Sequence, residues 1–273
     1  MGGWAASKIS AKYNIPLIIT EHSSMFTRNL IPTKYIPLIE DTLLGASQVI
    51  AVGPSLQREV RKYTEKDVHV IPNIVNVDDF IKERSKSTRS GKFKFFSLAI
   101  LKKNKGMDVL LESFAKAFKG DKNVELLIGG EGDEKQNLIQ LSEKLDIISQ
   151  VKFLGALERS EVVREMQECD SFVLASRSET FGVVYIEALA AGKPIIATNC
   201  GGPSIIVNKN NGFLVEVDNI GELSKALIKM KNDINFYDEK LIKEDTARRF
   251  GDFVISKQVY KLYSDSIKQS KAK

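Results

Sequence analysis

The stretch SFVLASRSETFGVVYIEALAAGKPIIATN, residues 171–199, contains an apolar run, a polar turn, a helical pattern and a second apolar run. SFVLAS is nearly all apolar rather than alternating, which suits a parallel strand buried on both faces. GVVYIEALAAG reads as a helix stopped by Gly192 and Pro194. PIIATN then reads as the next strand. A strand, a helix and a second strand in about 30 residues make one unit of a parallel sheet. The unit carries one carboxylate in its turn, Glu179, and a second in its apolar helix, Glu187.

The same alternation runs through the chain. IPLIIT (15–20), QVIAVG (48–53) and VHVIPN (68–73) read as strands. So do KFFSLAIL (94–101), VELLIGG (124–130), VKFLG (151–155) and GFLVEV (212–217). Helical patterns such as GMDVLLESFAKAFKG and GELSKALIKMKND lie between them. This order predicts a doubly wound α/β architecture. The polar, basic stretch KERSKSTRSGK, 82–92, reads as a linker, which predicts one domain over 1–82 and a second over 83–273. The second domain has at least six strands. The first has about three, too few to stand alone, so it reads as incomplete or completed by another chain. A C-terminal helix over 252–269 has an apolar stripe and is expected to pack on one domain or across both.

Composition narrows the function. The chain has 273 residues, 43% of them hydrophobic and 27% charged, as in an ordinary globular protein. No apolar run approaches the roughly 18 residues that a membrane span needs. The N-terminus lacks a signal-peptide pattern, and two cysteines make no disulfide framework, so a cytoplasmic location is expected. A net charge of +5 fits a phosphate-bearing ligand or an anionic membrane surface. Nucleic acid is not expected, because no zinc-finger spacing, aromatic RNP-like strand or basic reading helix is present.

Ligands of doubly wound sheets bind outside the carboxyl ends of the strands, which puts Glu179 in the crevice. Gly182 lets the backbone approach closely, and the N–H groups opening the helix favour an anion such as phosphate. Glu187 lies one to two turns further in. A carboxylate accepts well from a sugar or ribose diol, so the two acids can hold the two ends of one ligand. The plain alternative is a helix-dipole acid at Glu179 and a snorkelling acid at Glu187. LKKNKGMDVLLESF gives a second strand end, with Lys102, Lys103 and Lys105 before Gly106. These lysines read as diphosphate contacts or as a solvated loop. IGGEGDE, with Gly130, is only a partial dinucleotide fingerprint. TNCGGPSIIV opens a further turn with Gly201 and Gly202. His22, in TEHSS, follows a first-domain strand and is expected to face the crevice or to be a loop histidine. No ligand-spaced His or Cys pair predicts a metal, and no G-x-S-x-G elbow predicts a serine hydrolase.

Together these residues resemble the family-4 glycosyltransferases of the GT-B fold. ETFGVVYIEALAAGKPIIATNCGGP resembles the family's E-x7-E motif and the glycine turn after it. VIPNIVNVDDF resembles its interdomain segment, and NKGMDVLLESF its phosphate-binding segment. LLIGGEGDE, VKFLGAL and IITEHSS also have counterparts, so the likeness runs from about Ile15 to the end. The resemblance implies two Rossmann-like domains facing a cleft, the N-terminal one, on the acceptor side, incomplete.

It further implies a metal-independent, retaining hexosyltransferase without a cofactor, which takes a nucleotide-sugar donor and a glycan or lipid-linked acceptor. Cell-surface polysaccharide or glycolipid assembly at the inner face of the membrane is the usual setting, with peripheral membrane contact. By this resemblance Glu179 touches the donor sugar, and His22 reaches the transferring sugar. The backbone at Phe181, Gly182 and Val183 faces sugar and phosphates. Glu187 holds the ribose and Lys105 the diphosphate, with Gly106 and Gly130 in the donor-binding turns. Three departures stand out. Ile100 replaces a frequent arginine, for which Lys102 or Lys103 is the available substitute. Ile74 replaces the glycine of the interdomain segment and Ile205 an acidic residue of the glycine turn, and the family's N-terminal glycine-rich acceptor loop and first strands are expected to be missing. Two alternatives accompany this reading: a non-catalytic or partner-dependent nucleotide-sugar-binding fragment, and another GT-B enzyme such as a nucleotide-sugar epimerase.

Overall fold

A computed structural model describes residues 2–80 and 91–271. The domain boundary predicted at residues 82/83 lies outside the described residues. All nine predicted strands form, and they divide between two parallel sheets. Strands β1 (Ile18–Glu21), β2 (Gln48–Ala51) and β3 (Val68–Val70) make a three-stranded sheet in that order. Strands β4 (Phe93–Leu98), β5 (Val124–Gly129), β6 (Val151–Gly155), β7 (Ser171–Leu174), β8 (Ile195–Thr198) and β9 (Gly212–Val215) make the other. Its order is β6-β5-β4-β7-β8-β9. The chain winds outward from β4 to β6, returns to pair β7 with β4, and continues outward on the other side. That reversal is the topological switch point of a doubly wound fold.

The nearly all-apolar runs are buried as parallel strands must be: β5, β7 and β8 are covered along their whole length. Helices α1 (Gly2–Tyr13), α2 (Ser24–Thr27), α3 (Ile36–Gly45) and α4 (Pro54–Val60) accompany the smaller sheet. Helices α5 (Met107–Phe118), α6 (Lys135–Lys144), α7 (Arg159–Glu168), α8 (Val183–Ala190) and α9 (Ile220–Asn232) connect or flank the larger sheet. Helix α5 buries Leu110, Phe114 and Phe118, four residues apart, so one stripe meets the core and α9. Helix α8 is buried nearly all round, because β7 and β8 lie on one side of it and α10 (Glu239–Phe250) on another.

Helix α11 (Asp252–Lys271) returns to the smaller sheet, where Ile255, Val259 and Leu262 pack against Ile18, Ile50 and Ile71. The two chain crossings run side by side. The Val75 N–H donates to the Phe250 carbonyl at 3.0 Å, and Val75 forms a parallel bridge with Gly251. Phe80, at the end of the short turn Val77–Phe80, is buried. At the carboxyl end of β2 the start of α4 meets the loops after β7 and β8. A Cβ on Gly53 would lie 3.1 Å from the Thr180 carbonyl oxygen, and Ser55 lies beside Gly201. The carboxyl-end loops of the two sheets thus touch across a cleft.

Candidate functional site

The site is built from the loops that leave β4 and β7 on either side of the switch point. After β4 the chain makes a short turn at Lys103–Lys105 and enters α5 through Gly106, which is left-handed at φ 63°. A side chain there would collide with the Ala175 carbonyl. Glycine is therefore what lets the two loops close on each other. The closure brings Lys105 to Glu179, with Nζ to Oε1 at 2.7 Å. The Ser176 hydroxyl donates to the same oxygen at 2.7 Å. The two side chains are 24% and 12% exposed, so the pair is partly withdrawn from water. Little Coulomb screening reaches such a pair, and each partner fixes the other.

The backbone of Glu179 is strapped to the loop after β8. Its carbonyl accepts from the Gly202 N–H at 2.9 Å, and Glu179 bridges Gly201. On the other side Arg177 grips Asp108 through both terminal nitrogens at 3.0 Å and reaches Asp218 through Nε at 2.7 Å. Burial pushes the Asp108 carboxyl up, but hydrogen bonds from Arg177 and Lys103 outweigh it and hold it at about 2. Lys103 is thereby committed to Asp108, at 3.0 Å, while Ile100 stands 63% exposed where a frequent arginine is absent. Burial pushes the Cys200 thiol up to about 11, with the Glu179 carboxylate adding to the rise. The thiol beside the acid therefore stays protonated and is no nucleophile at neutral pH.

Helix α8 opens with Gly182 at φ 98°, and a Cβ there would press into the Tyr185 ring. Tyr185 is fully buried, and its hydroxyl donates to the Leu174 carbonyl at 3.0 Å, so it locks the helix start onto β7. The Phe181 side chain is core, edge-on to Phe250 at 5.8 Å, which leaves only its backbone for a ligand. Val183 is exposed. Gly130, at φ 117°, lies where a Cβ would meet the Ala99 carbonyl, so it packs the loop after β5 on the loop after β4.

Glu187, 16% exposed, sits on α8 and accepts from Arg159 Nη1 at 2.5 Å. Arg159 was not among the residues expected from sequence. It is the first residue of α7, and its second terminal nitrogen lies 3.1 Å from Asp79 Oδ2. His22 follows β1 and is exposed, and the Glu21 carboxylate accepts from its backbone N–H at 2.9 Å. Among the described residues no hydrogen bond or ion pair joins its ring to Glu179 or Lys105. The structure thus brings Lys105, Gly106, Glu179 and Gly182 to one crevice, and gives Glu187 a partner of its own. Among the described residues no three His, Cys, Asp or Glu side chains gather as a metal site needs.

Comparison with known proteins identifies the family and the fold. The family described as "Glycosyl transferases group 1" matches residues 79–247, and "Glycosyltransferase Family 4" matches residues 1–79. The alpha-monoglucosyldiacylglycerol synthase of Streptococcus pneumoniae is 29% identical over 98% of this chain and 64% of its own length. The phosphatidyl-myo-inositol mannosyltransferase of Mycobacterium leprae is 27% identical over 91% of this chain and 67% of its own. An uncharacterized glycosyltransferase of Methanocaldococcus jannaschii is 27% identical over 85% of this chain and 63% of its own. The chain therefore spans about two thirds of the length of these relatives. The structure of Anabaena HepE in complex with UDP superposes with a TM-score of 0.83 at 22% identity, over 96% of this chain and 76% of that one. That likeness establishes the fold as GT-B. The chain belongs to the group 1 glycosyl transferases, in their family-4 branch.

Proposed function

We propose that this chain carries the donor site of a retaining, metal-independent hexosyltransferase that uses a nucleotide sugar. The observation that carries the reading is the Lys105–Glu179 pair at the switch point, beside the glycine-opened start of α8. Lys105 and the α8 amides suit the diphosphate, Glu179 a hydroxyl of the donor sugar, and Glu187 the ribose diol. Glu179 is held at Oε1 by two donors, which suits a fixed acceptor better than an attacking group. In the reaction proposed, the bond from the sugar C1 to the diphosphate oxygen breaks, and its electron pair stays on that oxygen. The acceptor oxygen bonds C1 on the same face and gives its proton to the departing diphosphate. Stabilising the charge on that leaving group is the protein's main contribution. His22 approaches the transferring sugar from the first sheet once the cleft closes on a donor.

The names of two relatives, a glucosyldiacylglycerol synthase and a phosphatidylinositol mannosyltransferase, support a lipid-linked or glycan acceptor here. The charge of +5 suits work against anionic lipid on the cytoplasmic face of a membrane. No helix is long and apolar enough to cross one among the described residues. A second reading is a nucleotide-sugar-binding subunit that needs a partner for turnover. It is favoured by β1, the outer strand of the small sheet, which borders an apolar groove of about 440 Å³ lined by Trp4, Ile19, Met25, Ile31 and Leu38.

Calorimetric titration with UDP, GDP and ADP tests the donor site. One nucleotide is expected to bind in the micromolar range and to bind about tenfold or more weakly in Glu187→Ala. A folded chain that binds none of the three would remove the reading. Binding without turnover on lipid or glycan acceptors would favour the second.

A further inference from the structure

Arg159 lies where α7, α8 and the turn at Val77–Phe80 pack together, and it links side chains of the latter two. One terminal nitrogen lies 2.5 Å from Glu187 Oε1 on α8, and the other 3.1 Å from Asp79 Oδ2 in the segment that arrives from the small sheet. Its guanidinium carbon is 5.3 Å from the ring centroid of Phe80, which is itself buried. The backbone of the arginine is fixed as well. Glu158 caps α7 and exchanges hydrogen bonds with Glu161 in a capping box, which sets Arg159 as the first helical residue. The turn that carries Asp79 is anchored in turn, since Gln167 Nε2 donates to the Phe80 carbonyl at 3.1 Å.

Glu187 has three rotatable bonds and stands alone among the apolar residues of α8. Left unpaired, a carboxylate that is mostly withdrawn from water has no fixed direction and carries a desolvation cost. Pinned at Oε1, it offers Oε2 in one direction, and Oε2 has no hydrogen-bond partner among the described residues. A pre-oriented acceptor binds a diol with less ordering cost than a free one. Asp79 acts on Arg159 as Arg159 acts on Glu187, because it neutralises and aims the half-exposed guanidinium.

We propose that Arg159 is a positioning residue of the nucleotide site. It holds Glu187 in the orientation that accepts the ribose hydroxyls, and it ties that orientation to the interdomain segment through Asp79. The inference rests on the assignment of Glu187 to the ribose.

The test is the ratio of affinities for a nucleoside diphosphate and its 2′,3′-dideoxy counterpart, measured by calorimetry with the UDP, GDP and ADP pairs. For the wild-type chain the nucleotide that binds is expected to lose about tenfold or more without its hydroxyls. In Glu187→Ala the ratio falls to about one. In Arg159→Ala it falls most of the way to that value, and in Arg159→Lys it lies between. A general loss of stability would weaken both ligands alike and leave the ratio unchanged. An unchanged ratio in Arg159→Ala, with the ratio lost in Glu187→Ala, overturns the role of Arg159 alone. Tighter binding of the hydroxyl-bearing nucleotide in Arg159→Ala also overturns it, since the arginine would then block the acid. A wild-type ratio in Glu187→Ala overturns the ribose assignment and this inference with it. Should Arg159→Ala not fold, Arg159→Lys decides: a lowered ratio supports the bridge and an unchanged one refutes it.

Discussion

The carboxylates of Glu179 and Glu187 are held by different means. Glu179 is fixed by its own surroundings. Lys105, Ser176 and the backbone of Gly202 all come from loops at the carboxyl ends of the larger sheet. Glu187 is fixed by Arg159, and Arg159 by Asp79, which stands in the segment arriving from the smaller sheet. The first is a local construction of one doubly wound domain. The second depends on how the segment between the sheets is seated. The acid proposed for the donor sugar thus takes its side-chain partners from loops of the larger sheet, and the acid proposed for the ribose has a partner that also pairs with Asp79.

Substitution at Gly106 is expected to have the largest effect. Its left-handed backbone and its contact with the Ala175 carbonyl leave no room for a side chain. Gly106→Val is expected to cost about 3 kcal/mol of stability, through strain and collision together. Thermal denaturation reads this cost. The damage should fall on the Lys105–Glu179 pair, so added donor sugar should contribute nothing to the affinity that the variant retains. Unaltered stability would mean that the two loops do not close on each other as described.

A smaller effect comes from the Asp108–Arg177 brace behind the same pair. The Asp108 carboxyl sits at about 2 in the folded chain against an ordinary 3.8. A depressed folded value means that the stabilisation is fully present above the ordinary value and is lost as pH falls toward about 2. The gap in melting temperature between the wild type and Asp108→Asn should therefore be constant from pH 7 to about 5 and close between about 4 and 2. A gap that is independent of pH would show that Asp108 contributes through shape alone.

The nine strands and most of the crevice were legible in the sequence because both are set by local pattern. Continuous apolar runs can be satisfied only by a parallel sheet covered on both faces, and carboxyl-end loops follow directly from such strands. The glycines were legible for a similar reason, since Gly106 and Gly182 stand where loop turns into helix. The order of the strands was not legible, because nothing local says which runs pair. The Arg159 bridge was not legible either. Its partners are 28 and 80 residues away, and the mutual packing of α7, α8 and the turn at Val77–Phe80 brings them together. The helix start itself carries no standard signal, since ERSE, residues 158–161, has Glu158 where a capping box usually has Ser or Thr. The expected substitution of Lys103 for the arginine missing at Ile100 is weakened by a pairing that sequence could not show, since Lys103 is spent on Asp108.

The measurement that tests the account most directly is a paired titration of Glu179→Ala and Glu187→Ala. Each variant would be titrated with the nucleoside diphosphate that binds the wild-type chain and with its sugar conjugate. If the two acids hold opposite ends of one nucleotide sugar, Glu187→Ala weakens both ligands by about tenfold or more. Glu179→Ala removes the affinity that the sugar adds, beyond any change common to both ligands from releasing Lys105. Wild-type affinities in both variants, or the same loss for both ligands in each, would contradict it.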